Sequence, residues 1–329
     1  MFEDMRRRDF LRKTMAGAAG ATIGLKLAGA AEEKAQTSTE KKTEAVTAAG
    51  AKGMPTGKIG NLTVSRLVSG GNLISGWAHS RDLMYVDDLM REYNTDMKVM
   101  DTMQLLEENG VNTIIADPSE RPFRIFPKYW KERGGKMQWI AEGHPKPEDL
   151  ETNIKKSVEV GAKAIYIQGV IGDRWLKEGR LELLGKCMEI IKSQGVPAGI
   201  GAHKLDVIVR SEAEGYGAEF YVKTLHQKDY WSAKRPEQNE EVIDNRADNY
   251  WCTDAEETIE YMKEIKKPWV AFKVLAAGAI HPKNGFKYAF EGGADFVCAG
   301  MFDFQVLEDV AIAKRILGSE MKRQRGWIG

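Results

Sequence analysis

The chain has 329 residues, 43% of them hydrophobic and 29% charged, figures ordinary for a protein that buries a full core in one large domain or two small ones. Lys plus Arg and Asp plus Glu number 48 each, so no net field draws the chain to nucleic acid or to an anionic membrane, and a small-molecule partner is expected. The three cysteines, Cys187, Cys252 and Cys298, are too few and too scattered for a disulfide framework or a thiolate zinc site; they are expected to be buried, with at least one thiol free.

The first element in chain order is not fold. Arg6-Arg7-Arg8-Asp9-Phe10-Leu11-Arg12-Lys13 resembles the twin-arginine export motif, with paired arginines, one residue, then Phe-Leu and a base. The Ala/Gly stretch from Met15 to Ala31 is interrupted by Lys26, so it cannot be a stable spanning helix, which needs about 20 mainly apolar residues. Ala28-Gly29-Ala30 offers the small residues a signal peptidase takes, which puts cleavage near Ala30. Residues 1–31 therefore read as an export signal addressed to the twin-arginine machinery. Residues 32–53 contain no aromatic residue and cannot bury enough apolar area to offset their ordering entropy, so a flexible linker is expected. No lipid-accepting cysteine follows the signal. The expectation is a periplasmic or secreted protein without a stable membrane anchor, whose folded domain spans residues 54–329.

From there, short apolar runs alternate with amphipathic helical stretches, the pattern of parallel strand–helix units. The expected strands are Val64–Ser69, Thr113–Ala116, Met137–Ala141, Ala164–Ile167, Ala198–Gly201, Glu219–Val222, Trp269–Val274 and Phe296–Ala299. Gly and Pro stops precede several of them, as at Asn109-Gly110, Gly134-Gly135 and Gly195-Val196-Pro197, while Pro147-Glu148-Asp149 and Thr253-Asp254-Ala255 supply helix starts. Eight such units predict a (β/α)8 TIM barrel of the α/β class, typically about 250 residues long. A doubly wound open sheet is the alternative, against which no Gly-rich phosphate loop follows the first strand. The longest non-periodic stretch, Gln227 to Cys252, reads as a lid or binding loop.

In such a barrel the active site is built at the C-terminal strand ends. His144, His203, His226 and His281 follow strands three, five, six and seven, and His79 lies beyond strand one. Asn72, Asp117, Glu142 and Gln168 follow strands one to four; Lys223 closes strand six and Lys273 lies within strand seven. Imidazoles and a carboxylate converging from different strands suit a divalent metal (zinc, manganese or iron), with Glu142, His144, His203 and His226 as the expected ligands. Glu142 and His144 are two apart, so strand-like geometry points both the same way. The other reading has the histidines bonding substrate or neighbouring loops without metal. Lys223 and Lys273 read as a Schiff-base nucleophile, a base or an electrostatic clamp, or as salt-bridge partners inside the mouth. Gly278 and Gly300, after strands seven and eight, suit either a phosphate loop or plain tight turns. Trp77, Trp175, Trp231 and Trp251 fall in expected loops on the active-site side, where flat rings beside polar groups suit sugars.

Met54-Pro55-Thr56-Gly57-Lys58-Ile59-Gly60-Asn61-Leu62-Thr63-Val64-Ser65-Arg66-Leu67 with Gly70-Gly71, the segment Leu275-Ala276-Ala277-Gly278, and the run from Gly300 through Phe304-Gln305-Val306-Leu307-Glu308-Asp309-Val310 resemble the aldo/keto reductase family. The resemblance covers both ends and the repeat rhythm. It implies the barrel and, for a reductase, a nicotinamide cofactor such as NADP. The family's Asp, Tyr, Lys and His tetrad is not retained: the aspartate position reads Ile115, with Asp117 two residues later, and no Tyr follows at the short spacing. Glu142 stands near the lysine position and Gln168 at the histidine position. These changes disable carbonyl protonation by tyrosine. The residues together predict an exported enzyme acting on a sugar or related hydroxy compound as a metal-assisted lyase, isomerase/epimerase or hydrolase. Asp117, Glu142, Lys223 and Lys273 are its expected catalytic groups, and Asn72, Gln168, Trp77, Trp231 and His281 its substrate contacts. The alternatives are a reductase-like oxidoreductase with tightly held NADP and a non-catalytic carbohydrate-binding barrel.

Overall fold

The computed structural model describes residues 53–79, 85–234 and 252–329. The export signal and all of the linker but Gly53 lie outside the described residues, as do Trp251 and most of the stretch from Gln227 to Cys252. Strands β1 (Thr56–Ile59) and β2 (Leu62–Ser65) form an antiparallel hairpin. Eight parallel strands then close into a barrel: β3 (Leu67–Gly70), β4 (Thr113–Ala116), β5 (Gln138–Gly143), β6 (Ala164–Ile167), β7 (Ala198–Ala202), β8 (Phe220–Thr224), β9 (Trp269–Phe272) and β10 (Phe296–Ala299), with β10 pairing back onto β3. The barrel is a TIM barrel, not an open sheet.

Helices cover its outside. They are α1 (Asn72–Ser75), α2 (Tyr85–Tyr93), α3 (Asp96–Glu108), α4 (Glu120–Arg133), α5 (Thr152–Val160), α6 (Gly169–Lys177), α7 (Glu182–Ser193), α8 (Leu205–Ala213), α9 (Ala255–Met262), α10 (Pro282–Glu291) and α11 (Asp303–Leu317).

The strand period of two sorts each strand's side chains between two cores. Val68, Ile115, Ile140, Tyr166, Val222 and Val270 fill the barrel interior. Their neighbours Leu67, Ile114, Trp139, Ile165, Tyr221 and Trp269 face the helices. Ile59 and Val64 of the hairpin join the interior cluster, so β1 and β2 plug the N-terminal end. Asn112 and Gln138 fasten the plug, both donating to the Thr63 carbonyl at 3.0 and 2.8 Å. Below the last strand, Asp295 is fully buried and pairs with Arg325 at 3.0 Å. Trp327 lies under the guanidinium groups of Arg66 and Arg323, at 4.1 and 3.4 Å.

Four expectations need correction. The run Val64–Ser69 is two strands, because Arg66 turns the chain between them: its backbone N–H donates to the Pro55 carbonyl and its side chain to those of Asp295 and Gly329. Strand seven stops at Phe272, since Lys273 adopts the left-handed region at φ 58°. The helix expected from Pro147 begins at Thr152; Asp149 instead accepts from the Glu151 and Thr152 amides in the preceding turn. Trp175 is a core residue of α6, 2% exposed, rather than a loop ring. All three cysteines are buried and free of disulfides. Among the described residues no helix is long and apolar enough to cross a membrane.

Candidate active site at the barrel mouth

Inward positions at the C-terminal ends of β4, β5 and β6 place Asp117, Glu142 and Gln168 around one side of the mouth. Alternation carries the first from Ile115, the second from Ile140 and the third from Tyr166, all interior residues. Glu142 is held from three directions. The Gln168 amide donates to its Oε2 at 3.1 Å, His144 Nε2 stands 3.6 Å from the same oxygen, and the Tyr166 hydroxyl bonds the carboxylate from below. Gly201 on β7 makes room for that tyrosine: a Cβ there would stand 2.8 Å from Tyr166 Cε2 and 2.6 Å from the Ile167 carbonyl. Burial alone would raise the Glu142 carboxyl, but the nearby His144 ring and the hydrogen bonds from Tyr166 and Gln168 outweigh it and hold the group below its ordinary pKa. Tyr166 is pushed well up by burial and the neighbouring charge, and so is the Cys298 thiol beside it.

Asp117 behaves in the opposite way. Burial raises its pKa, and the charge of Glu142 adds to the rise. Hydrogen bonds from Ser75 at the end of α1 and from Ser119 recover only part of it. Two carboxyls at one mouth are thus displaced in opposite directions, the pattern that separates an acid from a base. His144 Nε2 is buried and has no hydrogen-bond partner among the described residues, which leaves a polar demand at the same spot.

The other side of the mouth is built from β7, β8 and β9. His203 Nδ1 lies 2.8 Å from Asp173 Oδ2, and Asp173, buried on α6, also accepts from the His203 and Lys204 amides. The carboxylate assigns the proton to Nδ1. Burial lowers the His203 pKa against the pull of Asp173. Its ring lies 5.4 Å from Phe272, and Lys273 Nζ lies 5.8 Å from that same ring.

His226 is a brace. Its Nδ1 meets the Lys273 carbonyl at 3.0 Å, and its Nε2 accepts the Cys252 amide at 3.0 Å. A backbone amide can only donate, so Nε2 is unprotonated and already engaged. Burial lowers the His226 pKa to about 4. Lys223 points outward from β8, fully buried, and gives its Nζ to Asp254 at 2.9 Å and to the carbonyls of His203 and Thr224 at 2.7 and 3.1 Å. These bonds tie β7, β8 and the start of α9 together; of the readings open for Lys223, this is the salt bridge.

Of the four expected metal ligands, Glu142 and His144 meet, whereas His203 and His226 are bound to Asp173 and to backbone. Among the described residues no three His, Cys, Asp or Glu side chains gather as a metal-holding group, so the four-ligand set does not assemble. Asn72 opens α1 at the mouth, Trp77 is 41% exposed just beyond it, and Trp231 is 86% exposed in the segment after β8. His281 is an exposed helix cap, accepting from the Lys283 amide at 3.2 Å at the start of α10. Sequence reasoning missed Asp173, which looks like any polar residue of an amphipathic helix, and Ser75, whose short helix carries no periodic signal. It also missed Tyr166, which lies inside the apolar run Ala164–Ile167.

No protein-family model matches the chain, and no curated protein matches it in sequence. Among solved structures it is similar to two from Pseudomonas aeruginosa titled "putative aldo-keto reductase". One is 14% identical over 82% of this chain and 98% of that one, with a TM-score of 0.54; the other is 17% identical over 80% and 94%, also at 0.54. A mutant protein solved in complex with NADPH is 8% identical over 82% and 90%, at a TM-score of 0.52. At these identities the likeness shows the fold alone, a closed (β/α)8 barrel.

Among the described residues, the start of α11 is already occupied by side chains of this chain. At the start of α11, Gln305 accepts the Phe302 amide at 3.0 Å, and Asp303 is held by Lys98 at 2.8 Å and by Tyr93 at 2.6 Å. A carboxylate therefore occupies the helix end that would otherwise favour a phosphate. The tetrad positions carry Ile115, Glu142 and Gln168.

Proposed function

We propose that the protein is an exported barrel enzyme that moves a proton on a small sugar or hydroxy-acid substrate, as an isomerase/epimerase or lyase. The observation that carries the reading is the pair of half-buried carboxyls, Asp117 and Glu142, at one mouth, with Ser75 bonded to the first, Gln168 bonded to the second, and surroundings that shift the two in opposite directions. Glu142, kept ionised, takes a proton from the carbon beside the substrate's carbonyl or carboxylate. Asp117, whose pKa is raised by burial and by the charge of Glu142, is the group that gives a proton to the oxygen on which charge develops. Gln168 and His144 orient the substrate's hydroxyls, and His203, fixed by Asp173, stands at the end of β7. Glu142 and His144 would hold a divalent ion between them, and such an ion would polarise the substrate oxygen. Export by the twin-arginine route and residence in the periplasm are supported by Arg7-Arg8-Asp9-Phe10-Leu11 and the small residues at Ala28–Ala30.

The sign of the pH dependence follows from the two shifts. Activity fails as pH falls through the lowered pKa of Glu142, where the base is protonated, and as it rises through the raised pKa of Asp117, where the acid is lost. The test is incubation in deuterated water with a panel of aldoses, ketoses and sugar acids, following loss of C–H signals by NMR. The native protein is expected to exchange one C–H of at least one compound, Glu142→Gln to slow this by about 10²–10⁴-fold, and Asp117→Asn to flatten the alkaline limb. Absence of exchange across the panel, or exchange undiminished in Glu142→Gln, overturns the reading.

A further inference from the structure

Strand β9 ends at Phe272, and the loop after it holds the backbone in an uncommon state. Lys273, Ala276 and Ala277 stand at φ 58°, 45° and 55°, three of the four non-glycine residues in the left-handed region among the described residues. That conformation crowds the Cβ against the following carbonyl, and strain of this kind persists only where the surroundings enforce it. Here the Lys273 carbonyl accepts the Ala276 amide and His226 Nδ1, both at 3.0 Å, so the buried His226 holds Lys273 in its turn. The turn redirects the side chain. Had β9 run on, strand alternation would face Lys273 toward the helices with Trp269 and Ala271. Instead its Nζ lies 5.8 Å from the ring of Phe272, which packs against the barrel interior, and that ring lies 5.4 Å from His203. Burial lowers the pKa of His203 and of His226, and in both the charge of Lys273 adds to the fall. The ammonium therefore stands within electrostatic reach of both rings.

In the closed strand order β9 is fourth from β5 in either direction, so Lys273 and Glu142 reach the mouth from opposite sides of the barrel. We propose that Lys273 clamps a substrate carboxylate, and that the substrate is a sugar acid with a carbonyl at one end and the carboxylate at the other, as in a uronate. The end-to-end assignment rests on Glu142 and Asp117 being the pair that moves the proton: they take the carbonyl end, and the ammonium across the barrel takes the acid end. A carboxylate gives Lys273 a charge-assisted hydrogen bond. An ammonium has three N–H donors, so a bond to this chain leaves others to give. Phe272 beside it offers an apolar face to the sugar's C–H surface. An aldose of the same size lacks the anion and forgoes that bond, so the clamp separates acid sugars from neutral ones.

The experiment is ligand-observed NMR titration of the native protein and of Glu142→Gln with D-glucuronate and D-galacturonate, against D-glucose and D-galactose. A uronate is expected to bind at least ~10-fold more tightly than its aldose, and Lys273→Met to bring the uronates down to the level of the aldoses. Lys273→Gly is expected to lose the same preference without a lower melting temperature, because glycine adopts this backbone conformation freely. Equal affinity for acid and neutral sugars overturns the proposal, as does absence of binding by either uronate or a preference that survives Lys273→Met. Loss of binding that comes with a lowered melting temperature in both variants makes Lys273 a structural brace and overturns it as well. Preference for uronates without C–H exchange on any compound leaves the clamp standing and sinks the proton-transfer reading alone. Exchange on neutral sugars without that preference sinks the clamp alone.

Discussion

Asp309 sits on the inner side of α11, 3% exposed, with one carboxylate oxygen lacking any partner among the described residues. Burial, with the charge of Glu308 added, raises its pKa to about 7. The native state thus keeps a proton that the unfolded chain releases near its ordinary value, and the stability linked to that proton is present at low pH and lost as pH rises toward 7. Asp309→Asn is expected to raise the melting temperature at pH 8 and to have little effect at pH 4.5. The gain at pH 8 has an upper bound of ~4 kcal/mol; equal shifts at both pH values would show that the carboxyl is not the cause. At this scale the strand-end residues were readable, because alternation from Ile115, Ile140 and Tyr166 aims Asp117, Glu142 and Gln168 inward. What each one touches was not readable. Whether a histidine meets a carboxylate or a carbonyl depends on chain segments far away in sequence, as with His203 and Asp173 or His226 and Cys252.

Elements were legible wherever an apolar run was bounded by a Gly or Pro stop. Thr113–Ala116, Ala164–Ile167 and Phe296–Ala299 match the structure at both ends. Boundaries failed where a long-range contact overrode local pattern: Arg66 reaches Asp295 and Gly329, and the carbonyl of Lys273 is drawn to His226. The junction of β3 and α1 shows how an element positions chemistry. Gly71 N donates to the Ile115 carbonyl at 2.6 Å, and a Cβ on Gly71 would stand 2.5 Å from that of Ala116. Gly71→Ala must push α1 away from β4 and separate Ser75 from Asp117. A loss of about 1–3 kcal/mol in urea denaturation is expected, together with reduced turnover. Unchanged stability would mean that the junction has slack.

On the scale of the whole molecule, the eightfold beat of strand and helix carried the architecture, whereas the hairpin plug was hidden inside what looked like one long first strand. The export reading belongs to this scale as well. Replacing Arg7 and Arg8 by Lys is expected to leave the full-length precursor in the cytoplasm, while the native chain is recovered from the periplasmic fraction cut near Ala30. Equal fractionation of the two would sink it.

The plug also brings remote parts of the chain together. A Cβ on Gly57 would lie 2.8 Å from the carbonyl carbon of Gly329, and Arg66 binds the Gly329 oxygen at 2.7 Å. Residues 272 positions apart thus share one corner, at the end of the barrel opposite the mouth. A few-residue bridge could join them, and a new opening could be cut at the exposed Gly195 turn, giving a permuted chain with the same eight strands. A surface that tethers the protein through either position would hold it by its base, with the mouth turned to the solution.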